Sequence, residues 1–266
     1  MQARTWGTAA AIGFWATGAL AGVQITSEMT FLGDNKTTTS TMSLAPQGVR
    51  VEVDQHVMLF QADGGKVYML DPKNQTYFDF SGVQHAAQSD MVQQRLANLP
   101  PEQRQKVEAM MAAHGAPGAA PAAPLAPATF EKGESKTVGS WSCTVYHESR
   151  GGKHTADLCM VPIAGVGLTA ADIAPLKSFA ETMGKTMQGP RQQDVTERFD
   201  FDAQTKAIGF VGMPVEVTTF RDDQPRTRTT FKTIDHVDLP ADQFQIPAGY
   251  TPRPMMGGGP PGGAAQ

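Results

Sequence analysis

Alternation of apolar and polar residues predicts that the chain begins with consecutive β-strands. The clearest run is residues 48–55, where Val49, Val51 and Val53 alternate with charged side chains. Such a period of two is typical of a strand with one buried and one solvated face.

The runs that follow are apolar at nearly every position. They cover residues 56–60 and 66–70, are separated by Gly- and Asp-containing turns, and are followed by Tyr77, Phe78 and Phe80. Strands that are apolar on both faces must be covered on both faces. We therefore expect a sheet with other elements packed on each side.

A helical period replaces the alternation in residues 85–114. Val92, Leu96 and Leu99 are spaced as one face of a helix, and the same spacing recurs after Pro100-Pro101. The second set is Val107, Met110, Met111 and His114. Since proline is tolerated at a helix start and not in its middle, we predict two short helices joined by a kink. Residues 115–129 are mostly Ala, Pro and Gly and predict a flexible linker.

Strand patterns return in residues 130–163, and a further helix is predicted over residues 169–187. Thr169 is the expected N-cap, and Asp172 three residues later is its reciprocal partner in a capping box. The face expected to be buried carries Ile173, Leu176, Phe179, Met183 and Met187.

Further strands are predicted between residues 195 and 250. They include residues 207–217 and the β-branched run 227–233. The Gly- and Pro-rich residues 255–266 cannot bury a core and predict a disordered tail.

These elements predict an α+β fold, a curved antiparallel half-barrel with amphipathic helices as a lid. A lid over a curved sheet would enclose an apolar pocket. The candidate lining residues from the sheet are Val57, Leu59, Met69, Phe78 and Phe80, and those from the lid are Ile173, Leu176, Phe179 and Met183. The alternative is that these side chains simply pack together as core.

The N-terminus has the layout of a secretory signal peptide, with Arg4 before the apolar residues 6–20 and small residues at its end. We predict cleavage after Ala21, export to the periplasm, and one β-rich domain over residues 22–254 without a later transmembrane segment. A retained membrane anchor is the alternative. The whole chain has 22 Lys plus Arg against 26 Asp plus Glu, so it lacks the basic surface expected of a nucleic-acid-binding protein.

The two cysteines are Cys143 and Cys159, in neighbouring strand-like segments. In an exported protein such a pair is expected to oxidise, closing a loop of about 15 residues. A metal site made of both cysteines with His147 and His154 is the alternative, but its spacing matches no established zinc motif.

Motifs for catalysis or cofactor binding are weak. Residues 165–170 imitate a dinucleotide-binding glycine pattern, but Pro162 interrupts the strand that should precede it. No GxSxG or HExxH motif occurs. We therefore expect no enzyme activity, no cofactor and no metal, with Cu(I) binding by Met and His side chains as a minor alternative.

Three short stretches give the chain a family resemblance: Gly48-Val-Arg50-Val-Glu52, Trp141-Ser-Cys143-Thr-Val-Tyr146 and Ile246-Pro-Ala-Gly-Tyr250. In these it resembles the domain of unknown function 4412 family. The resemblance implies the LolA-like fold of periplasmic lipoprotein carriers and brings no assigned activity.

The leading functional hypothesis is a monomeric, non-catalytic periplasmic protein that holds a lipid, acyl chain or other apolar ligand between sheet and lid. The alternative is an envelope protein that binds another protein, or a stress-regulatory module without a small-molecule ligand. A hydrolase or a Cu(I)-binding protein is the third hypothesis.

Overall fold

A computed structural model describes residues 19–80, 94, 96–114, 126–186 and 201–253. Its main feature is one 12-stranded sheet with the strand order β12-β6-β5-β4-β3-β2-β1-β11-β10-β9-β8-β7. Neighbouring strands are antiparallel except β12 and β6, which are parallel. The predicted class, an antiparallel sheet with a few helices, is confirmed.

The strands are β1 (Ala19–Phe31), β2 (Lys36–Ala45), β3 (Gly48–Val53), β4 (His56–Gln61), β5 (Lys66–Asp71), β6 (Thr76–Asp79), β7 (Ala128–Val138), β8 (Trp141–Arg150), β9 (Lys153–Pro162), β10 (Gly212–Arg221), β11 (Gln224–Pro240) and β12 (Thr251–Pro252). The helices are α1 (Pro101–His114), α2 (Ala170–Thr186) and α3 (Phe201–Ile208), with 3-10 turns at Ile163–Val166 and Ala241–Phe244.

The centre of the sheet is the pairing of β1 with both β2 and β11. Ile25 lies opposite Met42 on one side and Ile234 on the other. Gly22 is required in β1, because a β-carbon there would clash with the Leu239 side chain and the Leu44 carbonyl oxygen. Because β1 pairs with β2 on one side and with β11 on the other, it joins the two halves of the sheet.

α1 begins at Pro101, as the sequence predicts. The Arg104 guanidinium donates hydrogen bonds to the carbonyl oxygens of Leu96 (3.0 Å), Ala97 (2.9 Å) and Leu99 (3.4 Å). The Leu96 carbonyl also accepts the Leu99 backbone N–H at 3.1 Å, so the Arg104 side chain adds to the bonding of the turn that precedes α1.

One predicted strand is partly wrong. The sequence predicts an extended segment over residues 207–217, but α3 runs to Ile208 and β10 starts only at Gly212. Phe201 and Gln204 are buried at 3% and 5% exposure, which fixes one side of α3 on the core. The spacing of Phe201, Gln204 and Ile208 is helical, and the β-branched residues after Gly212 hid it.

Several predicted segments fall outside the described residues. These are most of the signal peptide (1–18), the start of the helical insertion (85–93 and 95), most of the linker (115–125), Met187 with the expected helix end, and the tail (255–266). Residues 128–129, predicted as the end of the linker, belong to β7 instead. Within the described residues, none of the helices is long and apolar enough to cross a lipid bilayer.

Candidate functional site

The surface between α2 and the sheet contains the predicted lid residues. Ile173, Leu176, Phe179 and Met183 are exposed by 6%, 0%, 5% and 6%. α2 packs on β2 and β3. Its four apolar side chains belong to one hydrophobic cluster with the sheet, which we call the α2 cluster. The lid residues are thus brought together, in direct contact with the sheet.

The start of α2 is fixed by the predicted capping box. The Thr169 backbone N–H donates to Asp172 Oδ2 at 2.7 Å, and the Asp172 backbone N–H donates to Thr169 Oγ1 at 3.4 Å. Both bonds satisfy groups at the helix start, so they hold the first turn in addition to the apolar packing behind it.

Methionine side chains contribute to the cluster beneath α2 from several elements. Met183 on α2 and Met213 on β10 are buried members of the cluster, and the half-buried Met42 on β2 and Met58 on β4 pack against the cluster. Thioether side chains are flexible and polarizable, so they can fill spaces of different shape. The methionines are therefore adaptable positions within a cluster whose other buried members are mostly branched aliphatic side chains.

The predicted sheet residues divide between two faces. Phe80 packs against the α2 cluster. Met69 lies opposite Met58 in the register of β4 and β5, and Phe78 lies opposite Met69 in that of β5 and β6. Directly paired residues share a face, so Met69 and Phe78 extend the α2 side toward the sheet edge.

Val57 and Leu59 do not belong to that surface, which corrects the predicted lining. They form a second cluster with Tyr68, Leu70, Leu239, Phe244 and Ala45. The reason is the period of two: where Met58 and Phe60 face α2, Val57 and Leu59 must face the other way. Because β4 is apolar on both faces, its sequence does not indicate which face packs against the helix.

The second cluster is covered by the chain after β11. The Gln61 side-chain amide donates to the Phe244 carbonyl oxygen at 3.1 Å, and Arg50 Nη1 donates to the Gln243 carbonyl oxygen at 3.1 Å. Burial of Tyr68, with the charge of Asp79 and with Tyr77 as further causes, raises the pKa of the Tyr68 phenol. This face is closed by the protein's own C-terminal segment.

A cleft of about 270 Å³ opens beside the first turn of α2. It is lined by Ala21, Gly22, Asp172, His236, Val237 and Asp238. His236 Nε2 lies 3.5 Å from Asp172 Oδ2. Sequence reasoning missed this cleft, because its residues come from β1, α2 and β11 and meet only through the sheet register.

Cys143 and Cys159 form the predicted disulfide, with Cα atoms 5.4 Å apart. It links the adjacent strands β8 and β9, and both cysteines are buried in the α2 cluster. A buried disulfide is consistent with an oxidising compartment such as the cell envelope. The alternative metal site made of both cysteines is excluded, because both thiols are consumed.

Comparison with known families gives a match over residues 99–250, which is more than half of the 266 residues. The matching model is described as "Domain of unknown function (DUF4412)". The chain belongs to the DUF4412 family. This confirms the resemblance seen in the sequence, and the DUF4412 description names no catalytic activity.

Among solved structures, the DUF4412 chain is similar to one titled "Crystal structure of MucB in complex with MucA(peri)". The identity is 13% and the TM-score 0.32, over 86% of this chain and 55% of that chain. At this identity the likeness concerns the fold alone, and the low TM-score gives it no weight in assigning a function. A search of curated proteins gave no match.

Proposed function

We propose that this protein is a non-catalytic binding protein of the periplasm that takes up a long acyl chain between its sheet and α2. The observation that carries the proposal is the methionine content of the hydrophobic cluster that includes the buried face of α2: Met183 and Met213 are buried in it, and Met42 and Met58 pack against it. Such side chains can repack around a guest of variable shape. The disulfide and the N-terminal apolar segment support export.

The lid is closed in this structure, so the guest must replace helix contacts rather than fill an existing space. Uncovering Ile173, Leu176, Phe179 and Met183 costs about 6 to 12 kcal/mol, at roughly 1.5 to 3 kcal/mol for each side chain. An acyl chain with about 15 methylene groups gains about 12 kcal/mol on burial, at roughly 0.8 kcal/mol per group. The exchange is therefore balanced for a long chain, whereas a chain of about six carbons gains too little.

A tether between α2 and the sheet tests this opening. A β-carbon at Gly65, in the turn between β4 and β5, would lie 3.6 Å from Thr182 Oγ1 on α2. The double variant Gly65→Cys/Thr182→Cys can therefore form a disulfide that holds the lid shut. The matched control is Gly65→Ser/Thr182→Ser, which carries the same backbone strain at Gly65 without the bond.

The measurement is uptake of a fluorescent C16 fatty acid, with native mass spectrometry of each variant to count bound molecules. We expect the serine control to bind like the natural protein and the tethered variant to lose at least nine-tenths of its uptake. Equal uptake by both variants would place the ligand elsewhere. A protein that takes up no fatty acid, but retains an envelope protein partner in a pull-down, would overturn the proposal in favour of a protein-interaction module.

A further inference from the structure

Three side chains that can act as metal ligands meet on the hairpin formed by β8 and β9, away from α2. His147 Nδ1 lies 2.6 Å from Asp157 Oδ1, and His154 Nε2 lies 2.8 Å from the same oxygen. The three ligand atoms are all within 4.8 Å of one another. Two imidazoles thus converge on one carboxylate oxygen.

We propose that His147, His154 and Asp157 bind a divalent transition-metal ion of the zinc or copper(II) class. Imidazole nitrogen and carboxylate oxygen are ligands that both ions accept. A tetrahedral ion with bonds of about 2.0 to 2.1 Å holds its ligand atoms roughly 3.3 Å apart. Relative to that separation, the His147 nitrogen is about 0.7 Å and the His154 nitrogen about 0.5 Å too close to the carboxylate oxygen, so small side-chain shifts admit the ion.

The strand register brings the three residues together. His147 and Asp157 are directly opposite each other in β8 and β9. A bulge between Glu148 and Ser149 then shifts the pairing, so that His154 lies opposite Ser149. Sequence spacing gives no recognisable ligand motif, because hairpin pairing rather than a helical turn sets these distances.

Neighbouring residues hold both imidazoles in place. The His154 ring lies against the Phe220 ring, with centroids 4.1 Å apart. A β-carbon at Gly133 on β7 would lie 2.6 Å from His147 Nε2, so the His147 ring occupies space that only glycine leaves free. Two rings with restricted orientations lose little freedom when they bind an ion.

The hairpin itself is held at two further points. The disulfide of Cys143 and Cys159 links its strands at one end, and near the other end Thr155 Oγ1 on β9 donates to the buried Glu148 carboxylate on β8 at 3.2 Å. The side chains of His147, His154 and Asp157 are 44%, 30% and 28% exposed, so an ion from solution can reach them. Three protein ligands leave the remaining coordination positions to water or another donor.

The test is calorimetric titration with Zn²⁺ and electron paramagnetic resonance with Cu²⁺, on the full chain with its disulfide intact and without a histidine tag. We expect one ion per chain, with imidazole nitrogen coupling in the copper spectrum. His154→Gln and Asp157→Asn should each weaken binding at least tenfold, and His147→Gln/His154→Gln should remove the nitrogen coupling.

The matched controls are His236→Gln, which alters a histidine 3.5 Å from the Asp172 carboxylate and outside the hairpin of β8 and β9, and His56→Gln on the exposed start of β4. Both should bind like the natural protein, and circular dichroism should show every variant folded. Equal affinity of the natural protein and the His147→Gln/His154→Gln variant would overturn the proposal, because the three residues would then form only an ion-pair network. A loss of binding in either control as large as in His154→Gln would also overturn it.

Discussion

The rings of Phe60 on β4 and Phe179 on α2 lie 5.6 Å apart with an interplanar angle of 54°. Both side chains are buried, with exposures of 1% and 5%. Tilted aromatic pairs at this separation are favourable beyond the area that they bury. The pair therefore marks where α2 is anchored to the sheet, and where the proposed acyl chain would have to intervene.

Phe179→Ala should destabilise the protein more than any exposed change on the same helix. Truncating a buried phenylalanine costs about 3 to 5 kcal/mol. Ser178→Ala is the neighbouring control, because Ser178 is exposed and such changes stay within about 0.5 kcal/mol. Urea unfolding measures both, and similar values for the two variants would contradict the packing described for α2.

Thr169→Ala should weaken the start of α2 alone. Loss of an N-cap side chain costs about 1 kcal/mol, and Thr169→Ser should restore most of it because serine offers the same hydroxyl. Hydrogen exchange of the first turn of α2 should rise in Thr169→Ala and return in Thr169→Ser. Unchanged exchange in the alanine variant would show that apolar packing holds this turn without the cap.

The neighbouring residues Met58 and Leu59 test which face of β4 would bind the proposed acyl chain. Leu59→Ala should cost about 2 to 5 kcal/mol of stability yet leave fatty-acid affinity unchanged, because Leu59 lies in the cluster on the other face. Met58→Ala should change that affinity severalfold, because Met58 packs against the α2 cluster. Affinity that responds to Leu59→Ala and not to Met58→Ala would move the site to the face covered by the C-terminal segment.

Tyr68 should make stability depend on alkaline pH. Its pKa is raised in the folded chain, first by burial and then by the charge of Asp79. A raised folded pKa means that the protonated phenol stabilises the fold at every pH below its unfolded pKa, and that this contribution is lost as pH rises through the folded pKa. Absorbance titration should find one late-titrating tyrosine that disappears in Tyr68→Phe, and its persistence in that variant would refute the assignment.

The sequence was most informative where local chemistry decides structure. The capping residues Thr169 and Asp172 predicted the start of α2, Pro101 predicted the start of α1, and export predicted the bond between Cys143 and Cys159. Each of these signals depends on residues that are near in the chain or on a compartment.

The sequence was least informative where the structure depends on pairing between strands that are far apart in the chain. The apolar run in β4 could not indicate that Met58 faces α2 while Val57 and Leu59 face the C-terminal segment. The meeting of His147, His154 and Asp157 depends on a bulge between β8 and β9, which no spacing rule anticipates. Such sites require the register, and the register is set by the whole sheet.

Hydrogen exchange of α2 with and without a C16 fatty acid tests most directly whether this helix opens for a guest. Bound acid should change exchange at least threefold across residues 170–186, while the disulfide-linked strands β8 and β9 stay the same. Hexanoate, whose short chain cannot offset the lost helix contacts, should leave α2 unchanged. If the C16 acid binds and α2 exchanges as it does in the free protein, the helix is not a lid and the acyl-chain site beneath it does not exist.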